Sequence, residues 1–194
     1  LARKERGDMS SDVSDPLLQD PAQAARADSE PAREREPEIT GRVSSLEAPR
    51  DPDVILSLGC GIPAKNIQRA HLAKDLAARF QGALLIASGG MISKRYQALG
   101  TTEADEQGEV WRKEGVSNPT ILDRRAGSTY DNINYNFGKI AEIGQRKKHV
   151  EVSIVTGSRD HAVRARRNML TAYEKYLRRN SKNPDAKFEL SISL

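Results

Sequence analysis

Five short apolar runs, at residues 53–58, 83–87, 119–122, 151–155 and 188–192, divide the chain, and each gap between them leaves room for a helix. Asp53-Val-Ile-Leu-Ser-Leu58 ends in Gly59-Cys60-Gly61, and Ala83-Leu-Leu-Ile-Ala87 ends in Ser88-Gly89-Gly90. Runs without polar alternation belong to strands buried on both faces, the situation of a parallel sheet covered by helices. The gaps carry helical signals. Pro63 suits a first turn, and Ile67, Ala70, Ala73, Leu76, Ala77 and Phe80 recur at three- and four-residue spacing as far as Gly82. Thr102-Glu103-Ala104-Asp105 and Ser128-Thr129-Tyr130-Asp131 each place a carboxylate three residues after a hydroxyl cap, opening helices that Gly115 and Gly144 should end. A last helix of about 20 residues starts at Asp160. The order βαβαβαβαβ predicts an α/β, Rossmann-like, doubly wound and mostly parallel sheet of about five strands, with helices on both faces and right-handed crossovers.

Residues 1–52 read differently. They hold six of the nine prolines, no aromatic residue, and twelve acidic against eight basic side chains. Such a segment has too little apolar surface to offset the entropy of ordering, so disorder is expected there and a folded domain over 53–194. That domain carries 23 basic and 15 acidic residues, a net charge of +8, which favours anionic partners: a small anionic molecule, an anionic membrane or a nucleic acid. Nucleic acid is the weakest of these. Arg146-Lys147-Lys148 is basic, but one Trp and three Phe supply no stacking platform. A single cysteine, Cys60, excludes an intramolecular disulfide and fits a reducing compartment. No run approaches the roughly 18 apolar residues of a membrane span, and none follows Leu1-Ala-Arg-Lys4 as in a signal peptide. As given, the chain reads as soluble and cytoplasmic, with envelope association only if an anchor precedes Leu1.

Parallel strands bring the turns at their carboxyl ends to one edge, where open α/β sheets bind ligands. Four such turns carry small or polar residues: Gly59-Cys60-Gly61, Ser88-Gly89-Gly90, Ala126-Gly127-Ser128-Thr129 and Thr156-Gly157-Ser158. Gly, Ser and Thr also serve there merely to turn and cap. The last turn feeds a helix that starts Arg159-Asp160-His161-Ala-Val-Arg164, so His161 and Arg164 are neighbours on its first turns, with Asn168 beyond them. A helix N-terminus, hydroxyls and a guanidinium suit an anion. His161 suits donation to an oxyanion or acid–base work, and Glu103 offers a carboxylate on the same edge. No second His or Cys stands at ligand spacing from His161, so no metal is expected. The absence of G-x-G-x-x-G and of the P-loop lysine pattern argues against a standard NAD site or P-loop ATPase.

Taken together, Gly59-Cys60-Gly61, Arg69, Ser88-Gly89-Gly90, Thr102-Glu103-Ala104, Ser128-Thr129-Tyr-Asp-Asn132 and Thr156-Gly-Ser158-Arg-Asp-His161-Ala-Val-Arg164 form six ordered blocks that resemble the SanA/YdcF-like family. That resemblance implies a site built from Glu103, Thr129, Asn132, Thr156, Ser158, His161 and Arg164, with Arg69 and the glycine turns beside it. It also implies a link to bacterial envelope biogenesis, a domain of unknown reaction, and, through one branch similar to S-adenosylmethionine binders, a nucleotide-like cofactor as one candidate. Gly157, inserted between Thr156 and Ser158, and Ala162, in place of a larger apolar residue, depart from the pattern. The expected function is binding of a small phosphorylated or nucleotide-like anion, with hydrolase or transferase chemistry open to it. The alternative is a non-catalytic module that meets a partner or anionic membrane through its basic helix and N-terminal segment.

Overall fold

The computed structural model describes residues 51–194; the disorder expected before them concerns a segment that, up to residue 50, lies outside the described residues. The sheet has five strands, all parallel, in the order β3-β2-β1-β4-β5, where β1 is Val54–Leu58, β2 Leu84–Ser88, β3 Thr120–Asp123, β4 His149–Val155 and β5 Glu189–Ser193. The direction of winding reverses beside β1. The chain steps outward from β1 to β2 and β3, then returns to place β4 on the other flank of β1, so the carboxyl ends of β1 and β4 form the switch point at which open α/β sheets have their crevice.

Alternation along each strand sorts the core into two layers. Val54, Leu56, Leu58, Ile86, Val152 and Ile154 point to one face, where they meet α4 (Thr129–Lys147) and α5 (Arg159–Arg179). Ile55, Leu85, Ala87 and Val155 point to the other, against α1 (Pro63–Arg79) and α3 (Glu103–Lys113). Trp111 anchors that second layer, its indole donating to the carbonyl of Ala70 at 2.8 Å. Both faces are thus covered, which is why the central strands β1 and β2 are near-continuous apolar runs, whereas β4 and β5 toward the edge alternate with Glu151, Ser153, Glu189, Ser191 and Ser193.

Several boundaries differ from the sequence expectation. Ile67 does not join the buried face of α1 but is 37% exposed, while Asn66 and Arg69 are buried in its place. A six-residue helix, α2 (Lys94–Leu99), follows β2 where none was expected; it buries only Tyr96, so it has no apolar period to read. Gly144 does not end α4. The helix passes through it to Lys147, because the ring of Phe188 packs so closely that a Cβ on Gly144 would lie 2.3 Å from it. The stop is Lys148, which takes the left-handed conformation at φ 60°.

Candidate functional site

Register places Leu58, Ser88 and Asp123 side by side, with Val155 paired to Ser57, so the turns after β1, β2, β3 and β4 share one edge. Two buried polar clusters occupy that edge, and they divide the candidate residues between them.

Arg69 builds the first cluster. It lies on the second turn of α1, reaches back over the end of β1, and is 4% exposed. One guanidinium nitrogen, Nη1, donates to the carbonyls of Leu58 and Gly59, the latter at 3.0 Å. Nη2 lies 3.2 Å from Nδ1 of His161. A guanidinium only donates, so Nδ1 must accept, and the imidazole proton sits on Nε2. From there it is directed at the hydroxyl oxygen of Thr129, 3.0 Å away. Residues from α1, α4 and α5 are therefore joined in one chain of hydrogen bonds. Burial, with Arg69 and Arg164 adding repulsion, lowers the pKa of His161 from 6.5 to about 4 and keeps the ring neutral at pH 7. This geometry gives His161 no free basic nitrogen toward Thr129, the reverse of a triad in which an acid holds Nδ1–H and frees Nε2 to accept.

Gly157 has a definite place in this cluster. A Cβ there would come within 2.8 Å of Nη2 and 3.0 Å of Nε of Arg69, so the turn after β4 needs glycine to lie against the guanidinium. Arg69 Nε has no hydrogen-bond partner, and Arg69 makes no ion pair among the described residues. Burial pulls its pKa down, while Cys60 and Glu103 nearby push it back up. Ser158 caps α5 by accepting from the His161 amide at 3.3 Å, and Thr156, half-buried, donates to the carbonyl of Ser158. Arg164 lies exposed one turn into α5.

Glu103 is fully buried at the start of α3. Its Oε1 accepts from the amide of Gly61, and its Oε2 has no partner. Burial raises its pKa, opposed by the Gly61 amide and Arg69. Cβ atoms on Gly59 and Gly89 would stand 1.9 and 2.5 Å from Oε2, so the two glycines admit the carboxyl between the turns after β1 and β2. Enclosed this way, Glu103 ties α3 to the β1 turn.

The second cluster contains Ser88 and Asn132. The Ser88 hydroxyl lies 3.0 Å from both Asp123 Oδ2 and Asn132 Oδ1, and Asn136 donates to Ser88 at 2.9 Å, to Asp123 at 3.1 Å and to the Asn132 carbonyl at 2.8 Å. All four are buried. Gly89 and Gly90 are also engaged through their backbones: their carbonyls accept from Ala104 and Glu103, closing the N-terminus of α3, and the Gly90 amide donates to Ala126. Sequence reasoning missed Asn136, although it stands one helical turn beyond Asn132. It also missed Asn66, whose amide donates to the Glu103 carbonyl at 2.9 Å and to Glu106 at 2.8 Å and whose oxygen accepts from Gln107 at 2.7 Å.

A surface depression of about 490 Å³ lies away from this edge, on the outer side of α2 and α3, among Tyr96, Leu99, Glu106, Glu109 and Arg112. Its acidic lining gives an anion no seat. Among the described residues no group of three or more His, Cys, Asp or Glu gathers as a metal site requires, and no helix is long and apolar enough to cross a membrane. Comparison with protein-family models gives no match to this chain, and comparison with curated proteins gives none.

Proposed function

We propose that this chain binds a small phosphorylated anion in the crevice at the carboxyl ends of β1 and β4, and that it is a SanA/YdcF-like domain. The observation that carries the reading is Arg69: a buried guanidinium with one nitrogen unpartnered and no carboxylate bonded to it. Burying a cation without an ionic partner is costly, and an anion in the adjoining crevice offsets that cost. The N-termini of two long helices meet at the same place, since Thr129 opens α4 and His161 lies in the first turn of α5. Their dipoles and the exposed Arg164 add to the positive field.

A phosphorylated anion suits this edge better than S-adenosylmethionine does. The sulfonium of that cofactor is a cation, which the positive ends of α4 and α5 disfavour, and the carboxylate of Glu103 is sealed under Gly59 and Gly89. Phosphoryl transfer or hydrolysis suits the site better than methyl transfer, with His161 as a neutral hydrogen-bonding group.

Native mass spectrometry of the protein with a panel of nucleotides and sugar phosphates tests the reading. Retention by the wild type, its loss in His161→Ala and its reduction in Arg164→Ala are the expected result; equal retention in both variants would refute it. A second reading, docking onto a polyanionic partner or membrane, draws on α5 itself. Arg164, Arg167, Lys175 and Arg178 are all exposed and follow one another at three- and four-residue steps or multiples of them, which makes a basic stripe. Binding to anionic vesicles that survives loss of the crevice residues but weakens with salt would favour it.

A further inference from the structure

The hydrogen bonds that link Arg69, His161 and Thr129 all run in one direction. Arg69 can only donate, which makes His161 Nδ1 an acceptor and Nε2 a donor. Thr129 Oγ1 therefore accepts a hydrogen bond from the imidazole N–H, and its own hydroxyl hydrogen is left to donate elsewhere. Thr129 is half-buried at the first position of α4, so this hydrogen is available to the crevice. Arg69 Nε–H lies buried beneath Gly157 without a partner, the exposed Arg164 guanidinium is a further donor, and Glu103 is enclosed.

Resting on the anion reading above, we infer that Arg69 and His161 act as positioning residues that fix Thr129 as a one-way donor, so that the crevice selects an acceptor-only oxyanion, a phosphomonoester dianion, over any group that must itself donate. A phosphomonoester dianion has three terminal oxygens and no proton. Its monoanion carries a P–OH that finds no acceptor in the Thr129 hydroxyl so oriented or in the Arg164 guanidinium, and one that must be buried without an acceptor is rejected. The alternative imidazole tautomer would turn Thr129 around and reverse this preference.

The lowered His161 pKa keeps the relay in one state while a phosphomonoester titrates near about 6. The charged groups facing the imidazole are Arg69 from α1 and Arg164 from its own helix, with Cys60 and Glu103 acting on Arg69.

The experiment combines two readouts on the whole chain, with methyl phosphate and sulfate as probes. Long-range proton–nitrogen NMR correlations should show His161 neutral at pH 7 with its proton on Nε2. Methyl phosphate affinity should fall about tenfold from about pH 8 to about pH 5, following the dianion fraction, while sulfate affinity stays level. Thr129→Val should weaken both probes about tenfold or more, and Thr129→Ser should restore binding. An imidazolium, or a proton on Nδ1, would overturn the relay even if both anions bind. Tighter methyl phosphate binding at low pH, or full binding by Thr129→Val, would overturn the selectivity. Failure of the wild type to bind either probe, with the Nε2 proton in place, would instead overturn the anion reading and with it the donor role of Thr129.

Discussion

The two polar clusters on the sheet's carboxyl edge are built from similar materials and finished differently. On the β2–β3 side, Ser88, Asp123, Asn132 and Asn136 bond to one another, and Arg125 covers the remaining Asp123 oxygen at 2.9 Å, so the network closes on itself. On the β1–β4 side, Arg69 and Glu103 are as deeply buried, yet each keeps one polar atom without a partner and Thr129 keeps a proton to give. A closed network rigidifies a fold; an open one stores donor capacity that a ligand can use. Under the proposed function the first cluster serves stability and the second binding, although the sequence motifs that supply them look alike.

The largest expected effect falls on the closed side. Asp123→Ala leaves buried donors on Ser88 and Asn136 short of an acceptor, and urea unfolding should show a loss of about 4 kcal/mol, with methyl phosphate affinity of the folded protein unchanged. A parallel loss of affinity would break the division of labour. On the open side, the folded protein refuses a proton at His161 until about pH 4, whereas the unfolded chain takes one near its ordinary 6.5. This contribution to stability is intact above that upper value and declines as pH falls toward the lower one, because the unfolded state then binds more protons. Between about pH 7 and about pH 4 the wild type should lose about 3 kcal/mol more than His161→Gln, measured by urea midpoints; equal losses would place His161 in a solvated setting.

Smaller effects sharpen the contrast. Gly157→Ala sets a methyl group 2.8 Å from Arg69 Nη2. It should cost about 1 kcal/mol of stability, while displacement of the guanidinium lowers methyl phosphate affinity about tenfold in a calorimetric titration. Arg164→Ala, at an exposed position, should change stability by less than about 0.5 kcal/mol and weaken the same binding about threefold. Stability losses without binding losses at either position would show that the open side is structural too.

Much of the frame was legible because burial on both faces writes itself as apolar runs, and because N-caps are local. Thr102, Ser128 and Ser158 each accept from the amide three residues on, and two of those caps follow directly from the hydroxyl–carboxylate spacing. Helix ends were harder: Gly144 reads as a stop, but the packing of Phe188 from a distant segment decides otherwise. The candidate site was legible as a set of turns and not as a set of contacts. Arg69 and His161 stand 92 residues apart, and no spacing rule joins them. Asn66, Gln107 and Asn136 look like solvated helix residues until their partners are seen, since a buried amide and an exposed one share the same letter. Likewise, Ser88-Gly89-Gly90 and Thr156-Gly157-Ser158 look equally fit to meet a ligand, but the first has its carbonyls turned to the N-terminus of α3.

The most direct test of the crevice as the anion seat is a proton–nitrogen NMR titration of the labelled protein with methyl phosphate at about pH 8. The account predicts saturable shifts centred on the amides of residues 59–61, Thr129 and residues 156–161, with the Ser88 and Asn136 signals still. Shifts confined to the outer face of α5 at Arg167 and Arg178, or to the depression at Tyr96 and Glu109, would contradict it.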